Sequence, residues 1–73
     1  MSRVGIREFD VVEITKDVVV KSDGVVITYA PGTRAAVLEV FQPPLRYLIE
    51  FVSSDGSDVN QALVGPLDVK LVQ

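Results

Sequence analysis

The chain has 73 residues and contains no cysteine, no histidine and no tryptophan. Without cysteine it has no disulfide framework and gives no indication of its redox compartment. It also lacks the commonest zinc ligands and the side chain that most often transfers protons near neutral pH. We therefore expect no metal site, no cofactor and no catalytic triad, because its serines have no histidine partner.

The chain is also short for a deep pocket of its own. A folded monomer of 7.9 kDa buries about 60% of the surface that its unfolded chain exposes, which leaves a thin core. Small-molecule and catalytic sites usually occupy pockets of about 300 Å³ or more. We therefore expect one domain over residues 1–73, with no catalytic activity and no small-molecule substrate.

Excess positive charge and long apolar runs are absent too. Ten acidic and seven basic residues give a net charge of −3, whereas nucleic-acid binders and proteins of anionic membrane surfaces are usually basic. No run of apolar residues is long enough to span a bilayer, and no apolar segment follows residues 1–8 as it would in a signal peptide. We expect a cytoplasmic protein without membrane contact, with nucleic acid disfavoured as a partner.

What the chain does have is an excess of β-branched residues. It contains 15 Val and 4 Ile but only 4 Ala, a composition that favours pleated strands and an all-β fold. Turn signals separated by 8–12 residues are typical of a small barrel or sandwich. They are Asp23-Gly24, Pro31-Gly32, Pro43-Pro44, Asp55-Gly56 and Gly65-Pro66. We predict strands near residues 10–15, 18–21, 25–29, 34–41, 46–52, 58–64 and 68–72.

The first hairpin is predicted from its turn. Asp23-Gly24 favours a two-residue type I′ turn, which fixes the register of the flanking strands. The facing pairs on one side are Val18 with Tyr29 and Val20 with Ile27. Because a lone hairpin is marginal in water, this apolar face must lie on the core or on a partner.

The register of the central hairpin is predicted from hydrophobic alternation. A four-residue loop over 42–45 pairs Val40 with Tyr47, Leu38 with Ile49 and Ala36 with Phe51. These residues are all apolar, so we predict that this face is the core. A slip by one residue would instead bury Glu50 and Arg46. The opposite, outer face then carries Ala35, Val37, Leu48 and Val52.

Two registers are open for the last hairpin. A two-residue turn at Asp55-Gly56 pairs Ile49 with Ala62 and Tyr47 with Val64. A five-residue loop places Val59 and Leu63 inside instead. The turn chemistry of Asp-Gly favours the first.

The two ends of the chain complete the predicted sheet. In the first strand, Val12 and Ile14 alternate with Glu13 and are expected to point inward. Gly65-Pro66-Leu67 predicts a short 3₁₀ turn before the last strand, in which Val69 and Leu71 close the sheet.

Four segments of the chain carry a family resemblance. Residues 9–17 read Phe-Asp-Val-Val-Glu-Ile-Thr-Lys-Asp, and residues 31–40 read Pro-Gly-Thr-Arg-Ala-Ala-Val-Leu-Glu-Val. With Tyr-Leu-Ile-Glu-Phe-Val at 47–52 and Asp-Val-Lys-Leu-Val at 68–72, they resemble a family of small uncharacterised bacterial proteins. The resemblance covers residues 9–72 and implies a small SH3-like antiparallel barrel of about five strands, with the Asp23-Gly24 hairpin inserted. Ala35 departs from the family, in which glycine is usual.

The resemblance also implies an accessory role. Such proteins are often thought to come from mobile gene cassettes or accessory gene neighbourhoods, including toxin–immunity clusters. The central segment is similar to the KOW segment of ribosomal and transcription-factor barrels, and to small barrel subunits of photosystem I and of ferredoxin–thioredoxin reductase. The KOW likeness keeps a nucleic-acid-binding module as the alternative function.

The predicted apolar faces point to a protein-interaction or self-assembly module. Large exposed apolar patches usually mark interfaces, so we expect the partner to be a second copy of the chain or another protein. The candidate interface residues are Val37, Leu48, Val52, Val18, Val20, Ile27, Tyr29 and Phe41. The other interpretation is that the loop from 21 to 33 folds over the patch and buries it within one chain.

Overall fold

A computed structural model describes residues 5–53, 56 and 59–72. This part of the chain forms seven strands, each ending within one residue of its predicted limits. They are β1 (Val11–Ile14), β2 (Val18–Ser22), β3 (Val25–Tyr29), β4 (Arg34–Phe41), β5 (Arg46–Val52), β6 (Val59–Val64) and β7 (Val69–Leu71). Among the described residues, no helix is long and apolar enough to cross a membrane.

The strands form two antiparallel sheets. The larger sheet has the order β6-β5-β4-β1-β7, and β2 and β3 form a separate hairpin. The predicted all-β, antiparallel fold with five main strands and an inserted hairpin is confirmed. Because β1 pairs with both β4 and β7, β6 and β7 lie at the two edges of the large sheet.

The β2–β3 hairpin has the predicted turn and register. Asp23 and Gly24 have φ angles of +50° and +77°, as a type I′ turn requires, and Val18 faces Tyr29. The apolar face of the hairpin packs on the core of the same chain. The Tyr29 ring stacks on Phe51 with 3.9 Å between ring centroids, and the Tyr29 hydroxyl accepts a 2.8 Å hydrogen bond from the Asn60 amide.

The core lies between the large sheet and this hairpin. The predicted inward positions of Val12, Ile14 and Tyr47 are confirmed. The buried apolar residues are Val12, Ile14, Val18, Ala35, Val37, Tyr47, Ile49, Phe51, Val64 and Val69. Strand β5 contributes every second residue to this set, as expected for a strand with one face in the core.

Strand β4 contains a bulge that the alternation did not predict. Val40 faces Tyr47 as predicted, but Val37 rather than Leu38 faces Ile49, and the register shifts between Val37 and Glu39. Leu38 is thus an extra residue opposite β5, which defines a β-bulge. The predicted pairs of Leu38 with Ile49 and Ala36 with Phe51 are wrong.

The bulge reverses which residues before Leu38 face the core. Ala35 and Val37 are 5% and 0% exposed, whereas Ala36 faces Glu50 on the outer side. The segment is fixed by backbone pairing with the chain before β1: the Val37 N–H donates to the Asp10 carbonyl at 2.9 Å, and the Phe9 N–H donates to the Val37 carbonyl at 2.7 Å. The prediction that Ala35 and Val37 lie on the outer face is therefore wrong.

The last hairpin adopts the favoured register. Ile49 faces Ala62 and Tyr47 faces Val64, so Val59 and Leu63 lie outside the core. The Gly56 N–H donates to the Ser53 carbonyl at 2.9 Å; the predicted turn residue Asp55 lies outside the described residues. Before β7, the predicted 3₁₀ turn is a single hydrogen-bonded turn, in which the Asp68 N–H donates to the Gly65 carbonyl at 3.1 Å.

Candidate interaction surface

The structure divides the eight candidate interface residues between the core and the outer face. Val37 and Val18 are buried, while Val20, Ile27 and Tyr29 are half-buried on the inner face of the hairpin. Leu48 is half-buried, and Val52 and Phe41 are exposed on the outer face of the large sheet. The bulge removes Val37 from this face, which leaves Leu48, Val52 and Phe41 as the candidates on the outer side of the sheet.

Strands β5 and β6 present an apolar surface to solvent, which we call the β5–β6 outer face. It consists of Leu48, Glu50, Val52, Val59, Gln61 and Leu63. Leu48 faces Leu63 and Val52 faces Val59, with Glu50 and Gln61 between these pairs. Val52, Val59 and Leu63 are 55%, 52% and 60% exposed, so over half of each side chain is available to a partner.

The two edges of the large sheet differ in length and charge. Strand β6 has six residues, Val-Asn-Gln-Ala-Leu-Val, without a charge or a proline. Strand β7 has three, and its middle residue is Lys70. Proteins usually protect exposed edges with short strands, lysine or proline, because unpaired backbone groups there invite another strand. Edge β7 has such protection, whereas β6 carries none of these features in its own residues, and the nearby strand β2 packs against it without joining its sheet.

The ion pairs of the described residues lie at the opposite half of the sheet, around β1 and β7. Arg34 and Lys70 approach the Glu13 carboxylate from β4 and β7, at 3.5 Å and 3.7 Å. The Lys16 ammonium lies 3.1 Å from the Asp68 carboxylate. The sheet therefore has an ion-paired half at β1 and β7, and a half at β5 and β6 whose outer face is apolar around Glu50 and Gln61.

Asp68 anchors the turn that separates the two edge strands. Its carboxylate accepts a 2.8 Å hydrogen bond from the Gly65 N–H. This bond, aided by the charge of Lys16, holds the pKa of Asp68 below its usual range. The ionised carboxylate of Asp68 thus holds the turn between β6 and β7.

An open groove of about 530 Å³ lies beside the N-terminal end of β1. Its lining residues are Ile6, Arg7, Glu8, Phe9, Val40 and Gln42. The expectation that the chain is too small for a concavity of this volume is wrong. The groove is a surface feature, and its titratable groups are one arginine and one glutamate.

Phe9 at this groove has an unusual backbone conformation. Its φ angle is +72°, in a turn closed by the Asp10 N–H, which donates to the Arg7 carbonyl at 3.1 Å. This left-handed region favours glycine and is unfavourable for a bulky residue. The ring is 81% exposed, so it recovers little of that cost by packing.

Replacing Phe9 with glycine should therefore stabilise the fold. We expect Phe9→Gly to raise the free energy of unfolding by about 0.5–1 kcal/mol, because removal of left-handed strain outweighs the added freedom of glycine in the unfolded chain. Urea denaturation measures this change. Phe9→Ala is the control, since it removes the ring but keeps the strain. A lower midpoint for Phe9→Gly than for Phe9→Ala would contradict the assigned backbone conformation.

No group of three or more aspartate and glutamate side chains within the described ranges could hold a metal ion. Comparison with protein families, with curated proteins and with solved structures found no match to this chain. The arguments for function therefore come from the exposed surface itself, and above all from the contrast between edges β6 and β7.

Proposed function

We propose that this protein is a non-catalytic self-assembly and protein-interaction module. Its binding surface is edge strand β6 together with the β5–β6 outer face. The observation that carries the proposal is the position of β6, a six-residue uncharged strand at the edge of the large sheet, beside a patch of exposed valine and leucine side chains.

Two kinds of interaction support binding at this surface. A strand added beside β6 would pair with the backbone N–H and C=O groups on the side where no other strand of the large sheet lies, as in other cases of strand addition. The same strand covers Val59 and Leu63, which are 52% and 60% exposed. Burying the exposed part of each side chain contributes about 1 kcal/mol. Backbone pairing then supplies affinity, and the alternating side chains supply register.

The proposal extends to the finer fold and to the protein's setting. The order β6-β5-β4-β1-β7, with a hairpin between β1 and β4, is compatible with the SH3-like barrel that the sequence resembles. Barrels of that kind often serve as accessory parts of larger assemblies. A cytoplasmic accessory protein, of the kind encoded in mobile or toxin–immunity gene neighbourhoods, agrees with a module that acts by binding alone.

The KOW-like alternative, nucleic-acid binding, has less support in the charge distribution. Lys16, Arg34 and Lys70 each lie within 4 Å of a carboxylate, and the chain carries a net charge of −3. Bases that are paired in this way release few counterions from a phosphate backbone. Retention on heparin at moderate salt would favour the alternative, and elution in the void at low salt would favour the protein interface.

A matched pair of charge substitutions tests the proposed surface. Leu63→Glu places a carboxylate on the β5–β6 outer face, whereas Val26→Glu places one at a similarly exposed position (58% against 60%) of β3. Burying an unpaired charge costs at least about 2 kcal/mol, so we expect Leu63→Glu to weaken self-association at least about 30-fold. Solution mass by light scattering measures it. Equal dissociation by both variants, or by neither, would contradict the proposal.

A further inference from the structure

Resting on this proposed function, we propose that β6 pairs with β6 of a second copy of this chain. The two strands run antiparallel about a two-fold axis that passes beside Gln61. The outward residues of β6 are Val59, Gln61 and Leu63, an apolar–amide–apolar series. This series has the same polarity in both directions, which is what a two-fold interface between identical patches requires.

The polarity of β6 selects one register. Directly opposed residues of an antiparallel pair lie on the same face of the sheet. Neighbouring residues of one strand point to opposite faces. The two-fold axis must therefore pass beside a residue, because an axis between two residues would oppose side chains of different faces. Centred on Gln61, the pairing sets Val59 against Leu63 of the second copy and Gln61 against itself. Centred on Ala62 or Asn60, it would set Gln61 against an apolar side chain instead.

The same register places no like charges in contact. It joins the two five-stranded sheets into one continuous sheet. Across the junction, an apolar row runs from Leu48 and Leu63 of one copy to Val59 and Val52 of the second copy. The central row runs from Glu50 through both Gln61 side chains to Glu50 of the second copy. With strands about 4.8 Å apart, the two Glu50 carboxylates are about 14 Å apart, beyond the Debye length of about 8 Å.

The other edge is unsuited to the same pairing. Lys70 is the middle residue of β7, so two copies of β7 centred there would place two ammonium groups opposite each other, which is destabilising. Lys70 also lies 3.7 Å from Glu13 within the chain. Of the two edges, β6 is therefore the one that is complementary to itself, and a closed dimer is expected in place of an open fibre.

A charge-swap experiment tests the register directly. Gln61→Lys alone and Gln61→Glu alone should each weaken the dimer at least about tenfold, because two like charges then face each other at the axis. An equimolar mixture should recover dimers that contain one copy of each variant. Gln42→Lys and Gln42→Glu are matched controls in an exposed loop and should leave the solution mass unchanged.

Disulfide cross-linking gives a second measurement on the full chain, which contains no cysteine. Directly opposed Cα atoms lie about 4.5–5.5 Å apart, within the range of a disulfide. We expect Gln61→Cys to oxidise to a covalent dimer and Gln42→Cys to remain monomeric under the same conditions. Pairing centred on Asn60 or Ala62 instead would shift the register by two residues, separate the Gln61 positions to about 8 Å and prevent the bond.

The outcomes separate this inference from the function on which it rests. If Leu63→Glu dissociates the assembly but the Gln61 variants neither dissociate nor complement each other, the module stands and the β6–β6 register is wrong. If the unmodified chain is monomeric at every concentration, both fail. Because Gln61 is exposed, its variants should keep the circular dichroism spectrum of the unmodified chain; loss of dimer with that spectrum intact supports the inference.

Discussion

Replacing Val37 with aspartate is expected to unfold the protein. Val37 is fully buried in the core, where an unpaired carboxylate costs several kcal/mol. A domain of 73 residues has a total free energy of unfolding of about 4–11 kcal/mol. We therefore expect the circular dichroism spectrum of Val37→Asp to lose its β-sheet signal and the variant to show no cooperative melting transition.

The control for this substitution is Val52→Asp. Val52 is 55% exposed on the β5–β6 outer face, so the same change should cost less than about 1 kcal/mol of folding stability. If Val37→Asp instead folded as stably as Val52→Asp, Val37 would lie on the outer face, as simple alternation predicts. The bulge at Leu38 would then be wrong.

Replacing Phe51 with alanine should cause the second large loss of stability. Phe51 is 1% exposed, and truncation of a core phenylalanine to alanine costs about 3–5 kcal/mol. Its ring also stacks on Tyr29 at 3.9 Å, so the β2–β3 hairpin loses its main aromatic contact with the sheet. We expect guanidinium denaturation to show this loss, and amide exchange to be faster across β2 and β3 than across β1.

The matched control is Phe41→Ala, the same substitution at a residue that is 42% exposed on the outer face. Its expected cost is about 1 kcal/mol or less, because the ring is only partly removed from water. A cost at Phe51 no larger than at Phe41 would mean that the hairpin does not rest on this ring.

Local chemistry was sufficient to predict the strands and two of the hairpin registers. Asp23-Gly24 requires two successive left-handed residues, and few alternatives to a type I′ turn meet that requirement. In the last hairpin, the Asp55-Gly56 turn chemistry favoured the register that is observed, and the alternation of Tyr47, Ile49 and Phe51 identified the core face of β5. These signals are contained within short stretches of chain, so the sequence alone carries them.

The bulge could not be predicted, because residues far from β4 in the chain determine which of its residues face the core. Residues 35–38 are Ala-Ala-Val-Leu, and either alternate pair could occupy the core without burying a charge. Backbone hydrogen bonds from the region of Phe9 and Asp10 to Val37 make the choice. The turn at Phe9 could not be recognised from the sequence. Its positive φ angle is one that turns usually assign to glycine, and phenylalanine does not indicate it.

The candidate surface was only partly predictable for the same reason. Alternation in β5 placed Leu48 and Val52 on an outer face, which is confirmed. That β6 is an edge depends on β7 pairing with β1 and not with β6, a contact between residues far apart in the chain. The position of β6 at the edge of the sheet, on which the functional proposal rests, therefore follows from the strand order and not from the residues of β6.

The most direct test of the central claim is the solution mass of the unmodified chain, measured by light scattering from micromolar to millimolar concentration. Self-assembly through β6 predicts a mass that rises with concentration from 7.9 kDa towards twice that value and then stops, because the two-fold pairing uses the free edge of both copies. A constant mass of one chain would contradict the claim, as would growth without limit.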